Sequence, residues 1–251
     1  MFRFVSGLGY EGVEIAPFTL AESVEELSAA ERARLRRHAE ECHVEIVGLH
    51  WLLASPPGLH ITHPDESVRE LTAAYLIELV RCCADLGGKV MVFGSPKQRS
   101  ILPGMSAEQA REHAIVAFER VLPVAAESDV TICLEPLTPD ETNFLNTAAE
   151  AVELIDAIGH PNLRLHLDAK AMCSETEPIP TIIRAHASRL RHFHANDPNR
   201  RGPGFGDLDF APIMATLKEV GYDGYVSVEV FDFSPDPETI ASKSLEYLKQ
   251  F

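Results

Sequence analysis

The amino-acid sequence predicts an α/β fold, a parallel (β/α)8 barrel lacking its first strand. Seven short runs rich in β-branched residues recur along the chain, helical stretches with clear start and stop signals separate them, and the last four runs end on acids or histidine. At 251 residues the chain has the usual length of one such barrel, and no linker-like stretch divides it, so a single domain over 1–251 is expected.

Phe2, Val5 and Leu8 stand at helical spacing, so 1–9 reads as the end of a first crossover helix whose preceding strand is absent. Truncation or a mis-set start is the expectation there, because an open barrel leaves two unpaired parallel edges. Strands are expected at 13–16, 45–50, 90–93, 131–135, 164–168, 191–194 and 225–229. Between them, the capping-box patterns Ser23-x-x-Glu26, Ser67-x-x-Glu70, Ser106-x-x-Gln109 and Thr147-x-x-Glu150 mark helix starts. Gly87, Gly159 and Gly221 fall where those helices should stop.

Side chains alternate across a strand, so His166 and Asp168 share one face of 164–168 while Leu165 and Leu167 take the face under the helices. The same parity pairs Cys133 with Glu135, His192 with His194, and Ser227 with Glu229. An open sheet buried on both faces places Val or Ile at such positions; polar residues there favour a barrel interior. Glu135, Asp168, His194 and Glu229 would then converge at the C-terminal end of the barrel. That is an oxygen-rich set for a divalent cation, with carboxylates to spare for proton transfer.

The chain carries 38 Asp plus Glu against 22 Lys plus Arg, and the net charge of −16 repels polyanions, so nucleic acid is not an expected partner. No apolar run reaches transmembrane length and residues 1–10 lack a signal peptide's pattern, so no membrane partner is expected and the cytoplasm is the expected compartment. Cys42, Cys82, Cys83, Cys133 and Cys173 show no CxxC spacing and read as buried thiols. Lys97 and Arg99 follow the 90–93 run, where they would meet an anionic substrate or decorate a loop. His60 and His63 lie in a Pro-flanked loop of the kind that forms a lid or stays solvated. The glycine-rich 202–206 does not lead from a strand into a helix, so it reads as a mobile flap and not as a nucleotide loop.

Leu134-Glu135-Pro-Leu, Asn146-Thr147-Ala-Ala-Glu150, Leu167-Asp168, His192-Phe-His194-Ala-Asn-Asp-Pro-Asn-Arg200 and Val228-Glu229 together resemble the xylose isomerase-like TIM-barrel sugar isomerases and epimerases. The order Glu, Asp, His, Glu is most similar to the ketose 3-epimerases related to tagatose and psicose epimerase. The resemblance covers nearly the whole chain from Gly9 onward. It implies that Glu135, Asp168, His194 and Glu229 are metal ligands, and that Glu135 and Glu229 are also the acid/base pair. The implied activity is metal-dependent epimerisation or isomerisation of a ketose, sugar phosphate or related keto-sugar through an enediolate. Oxygen ligands with one imidazole favour Mn²⁺, Mg²⁺ or Co²⁺, with Mn²⁺ first, over a structural Zn²⁺.

By the same resemblance Arg200 matches an arginine that contacts substrate hydroxyls, and Glu141 a glutamate near the substrate's first carbons. His50 and Trp51 end the 45–50 run, where an aromatic ring can stack on a sugar face or join the core. One departure stands out. Where the 3-epimerases carry a substrate-binding His three residues after the metal-binding Asp, this chain has Ala171, preceded by Lys170. The reaction class is therefore expected to hold better than the substrate. Lys170 would bind a phosphate or carboxylate, or point between the helices. Family members commonly pair, so a homodimer is the implied assembly. A keto-polyol dehydratase and a catalytically decayed sugar-binding barrel are alternatives on the same scaffold. A phosphodiester-cleaving endonuclease needs a cluster of metals, which the charge and the scarcity of further histidines at strand ends disfavour.

Overall fold

A computed structural model describes residues 1–251. Seven parallel strands lie side by side in chain order: β1 (Gly12–Ile15), β2 (Glu45–Leu49), β3 (Val90–Phe93), β4 (Thr131–Leu134), β5 (Leu163–Asp168), β6 (Leu190–Ala195) and β7 (Val226–Val228). Each lies on one of the seven predicted runs. The helices packed outside them are α1 (Phe2–Leu8), α2 (Ala29–Glu41), α3 (Glu66–Asp85), α4 (Ala107–Glu127), α5 (Ala148–Ile158), the short α6 (Ala169–Met172), α7 (Ile179–His186), α8 (Ala211–Glu219) and α9 (Pro237–Leu248). The sheet curls into a nearly closed barrel. No strand joins β7 to β1, and α1 packs against α9 across that opening, where the sequence lacked a stave.

Alternation along the strands sorts the interior. Leu165, Leu167 and Phe193 belong to the main apolar core between strands and helices, with Phe93 set edge-on to Phe118 of α4 at 5.2 Å between ring centres. Burying each such ring contributes about 1.5–3 kcal/mol. Val90, Val92 and Cys133 face the other way and form a separate small apolar floor inside the barrel. Above that floor the lining turns polar. His166 pairs in register with His192, and Asp168 with His194.

Two start signals are displaced. Ser23 caps only a 3-10 turn (Val24–Glu26), and the capping box of α2 is built by Ser28 and Glu31. The Asp65 carboxylate accepts the Ser67 N–H, so α3 starts ahead of the Ser67 pattern. Ser106/Gln109 and Thr147/Glu150 form the expected boxes, and Gly159 closes α5 in the left-handed region at φ 66°. Cys42, Cys82, Cys83 and Cys133 are buried, whereas Cys173 is exposed, against its reading as a buried thiol. No helix is long and apolar enough to cross a membrane.

The segment 202–206 is not a free flap. A Cβ on Gly206 would lie 1.9 Å from Asp197 Oδ1, and one on Gly202 would lie 2.1 Å from Ser244 Oγ of α9, so both glycines permit close packing. Asn199 Nδ2 also donates to the Phe205 carbonyl at 2.8 Å. The loop with His60 and His63 is likewise anchored, through buried Leu59 and Ile61 and the Ile61 N–H to Gln98 carbonyl bond.

Candidate active site

Glu135 follows β4, and its N–H donates to the Phe93 carbonyl at 3.2 Å, extending the ladder by one residue. A Cβ at Gly94 would lie 2.2 Å from Glu135 Oε2, so glycine there lets the carboxylate lie against the neighbouring strand end. Behind it sits Arg99, fully buried, donating from Nη1 to the Glu135 carbonyl at 2.6 Å and from Nη2 to the Leu145 carbonyl at 3.2 Å. Arg99 therefore neither meets substrate nor decorates a loop; it clasps the two ends of the loop that follows β4. Lys97 of the same stretch is exposed. A lysine cannot span both carbonyls, so Arg99→Lys is expected to cost about 1–2 kcal/mol in denaturant unfolding; unchanged stability would contradict the clasp.

Asp168 ends β5. Its Oδ1 accepts the Ala171 N–H at 2.7 Å, capping α6, and its Oδ2 accepts from Asn196 Nδ2 at 2.5 Å. Asn196 Oδ1 in turn accepts the Lys170 N–H at 2.9 Å. Glu229 stands just beyond β7, with Oε2 3.2 Å from His194 Nδ1 and Oε1 3.3 Å from both His50 Nδ1 and Trp51 Nε1. On the far side of His194, Nε2 lies 3.0 Å from Glu14 Oε2, while Glu14 Oε1 lies 2.7 Å from His192 Nε2. Glu14, in the middle of β1 with a side chain 6% exposed, thus bridges the two histidines of β6. The structure brings all four predicted residues to one place and adds Glu14, Asn196 and His166 beside them.

The two catalytic candidates sit in opposed electrostatic environments. Burial, then the charges of Glu229 and Asp168, push the Glu135 carboxyl well above the usual carboxylate range. Burial also works to raise Glu229, but the facing His194 and His50 outweigh it and hold that carboxyl far below the range. Asp168 rises from an ordinary 3.8 to about 6, through burial and the negative charge of Glu229. Burial would lower His194, yet the flanking Glu14 and Glu229 raise it well above the usual imidazole value. His166 is lowered by burial and by the neighbouring His194 and His192, so it is neutral.

Glu135, His166, Asp168 and His194 each offer a ligand atom, all within 4.8 Å of one another, and all four residues are buried. Neither His166 nitrogen has a hydrogen-bond partner, an orphaned neutral donor set inside an acidic cluster. Carboxylates with imidazole suit a divalent transition cation. Glu229 joins the set through His194, and Glu14 on Nε2 leaves Nδ1 as the nitrogen turned to Glu229.

The remaining candidates form the mouth. Lys170 Nζ pairs with Glu141 Oε1 at 2.8 Å and stands 5.2 Å from the Phe231 ring centre, so it points to the site and not between helices. Arg200 places its guanidinium 5.9 Å from the same ring. Trp51 is 45% exposed and is not a core residue. Glu14 and Asn196 escaped the sequence reading although each carried a signal. Glu14 is a lone acid inside an apolar run, and Asn196 shares the parity of His194.

A family model described as xylose isomerase-like TIM barrel matches residues 2–251. Among curated proteins, an L-ribulose 3-epimerase of Methylomonas sp. (strain DH-1) is 30% identical over 165 residues, an alignment covering 59% of this chain and 58% of that protein, so little over half of that relative is matched. A 3-dehydro-D-guloside 4-epimerase of Escherichia coli (strain K12) is 26% identical over 99% of this chain and 92% of its own length. Among solved structures, the D-psicose 3-epimerase of Clostridium cellulolyticum H10 with D-tagatose superimposes with a TM-score of 0.88 at 22% identity, covering 99% of this chain and 91% of that one. That likeness establishes the shared barrel.

Proposed function

Because the chain belongs to the xylose isomerase-like TIM-barrel family, we propose that it is a divalent-metal-dependent epimerase or isomerase of a keto-sugar, working through an enediolate with Glu135 and Glu229 as acid and base. The observation that carries this reading is the gathering of two glutamates, an aspartate and a histidine at the strand ends, with Glu135, Asp168 and His194 offering ligand atoms within 4.8 Å of one another and Glu229 3.2 Å from His194. Glu229, ionised by His194 and His50, takes the proton from the carbon beside the carbonyl. Glu135 returns one from the opposite face. Glu135, Asp168, His194 and Glu229 would hold the cation, with Mn²⁺ the best match to their donor atoms and Mg²⁺ or Co²⁺ next. When bound, the cation supplies a Lewis acid that draws charge from the carbonyl and neighbouring hydroxyl oxygens. Arg200, the Lys170–Glu141 pair, His50 and Trp51 orient the sugar. Incubating the Mn²⁺-loaded protein with a panel of ketoses, keto-glycosides and sugar phosphates tests the reading. An isomeric product of unchanged mass is expected, and loss of water from the product would instead identify a dehydratase.

Asp168 makes cation binding pH-dependent. Its folded value of about 6 exceeds the ordinary 3.8, so this group favours the metal-free fold below about pH 4, and that contribution is lost as pH rises through 6. A proton competes with the cation below 6 and an uncompensated charge remains above it. The rise in melting temperature on adding Mn²⁺ should therefore be clearly larger at about pH 8 than at about pH 5. Equal rises would contradict the assignment of Asp168 as a ligand.

A further inference from the structure

Beside Trp51, three further aromatic side chains at the mouth have no place in the reaction just described. Phe18 lies in the 3-10 turn Pro17–Thr19 after β1, Trp51 follows β2, and Phe231 and Phe233 follow β7. The Trp51 ring is 6.1 Å from Phe18 and 6.1 Å from Phe231, so these three make a continuous strip, while Phe18 is 47% and Phe233 57% exposed. Large apolar rings gathered in the open at a cleft mark a binding surface. Backbone strain points the same way. Trp51 (φ 55°) and Arg200 (φ 71°), which both approach Phe231, hold a left-handed conformation that non-glycine residues rarely adopt.

The strip is joined to the chemistry. Trp51 Nε1–H donates to Glu229 Oε1 at 3.3 Å. One cavity of about 870 Å³ runs from the opening between β1 and β7 to His194 and Glu229, and has Phe18, Trp51, Phe231 and Phe233 in its wall. Of the cations near the strip, Lys170 is paired with Glu141 at 2.8 Å and Arg201 with Asp232 at 3.1 Å, and Arg200 lies over Phe231 without an ion-pair partner. Exposed aromatic faces such as these suit the C–H face of a sugar ring.

We propose that this strip is an outer carbohydrate subsite, which binds a second sugar ring joined glycosidically to the keto-sugar being epimerised. The inference rests on the keto-sugar reading above and narrows it to glycosides.

The test compares kcat/KM for a keto-disaccharide with that for the methyl glycoside of the same keto ring, in the Mn²⁺-loaded protein. The disaccharide should be preferred, and Phe18→Ala and Phe233→Ala should each cut the preference about three- to tenfold, mostly through KM for the disaccharide. Phe18→Tyr, which keeps the ring, should retain it. No preference in the unaltered protein, or a preference unchanged in both alanine variants, overturns the subsite. Sedimentation of the same variants adds a second check: if Phe18→Ala dissociates an oligomer, the strip is covered by another copy of the chain and the proposal falls. If neither glycoside nor any ketose is turned over, the keto-sugar reading itself has failed, a result distinct from equal turnover of both substrates.

Discussion

Glu135→Gln and Glu229→Gln are each expected to lower kcat by about 10²–10⁴-fold while leaving the fold intact. Glutamine preserves the shape and the hydrogen-bond acceptor but cannot carry the proton. The two variants should differ in their pH profiles. Glu229 lies beside His194 and His50, which hold it ionised, so its loss removes the base of one direction. Burial and the neighbouring carboxylates raise Glu135, which suits it to return the proton, so its loss removes the acid of the same direction. Either variant retaining more than a tenth of the activity on a substrate turned over by the unaltered protein would contradict the paired mechanism. Melting curves close to that of the unaltered protein would show that chemistry, and not folding, was lost.

Much of this site was legible in the sequence because strand alternation is a strong constraint. Once Leu165 and Leu167 are assigned to the helix side, His166 and Asp168 must face inward, and the structure places them there, in register with His192 and His194. What escaped depended on packing between elements distant in sequence. Arg99 sits in a polar stretch that reads as surface, and only the approach of the loop after β4 buries it beneath the Glu135 carbonyl. The direction of Lys170 was open for the same reason, since Glu141, its partner, is 29 residues away. The segment 202–206 looked mobile because glycine is permissive. There glycine serves close packing against Asp197 and α9.

Glu14, which no motif marks, carries a large effect of its own. Its carboxylate receives one nitrogen from each histidine of β6, at 2.7 Å from His192 and 3.0 Å from His194. Carboxylates that orient a metal-binding imidazole typically carry a 10- to 100-fold share of metal affinity, and Glu14→Gln should weaken Mn²⁺ binding by about that factor. An amide presents one donor and one acceptor where two imidazole N–H groups are aimed, so one contact becomes repulsive. Loss of the Glu14 charge also removes one of the two carboxylates that raise His194. Calorimetric titration of the metal-free protein with Mn²⁺ reads the effect directly, without requiring a known substrate. Undiminished affinity would mean that Glu14 only fills the barrel floor.

In the proposed reaction a proton leaves and returns at the carbon beside a carbonyl, between Glu135 and Glu229. Turnover of an accepted keto-sugar in D₂O tests it most directly: each product molecule should carry one deuterium, at the carbon whose configuration or oxidation state has changed. Product formed with no solvent deuterium at any carbon would contradict it.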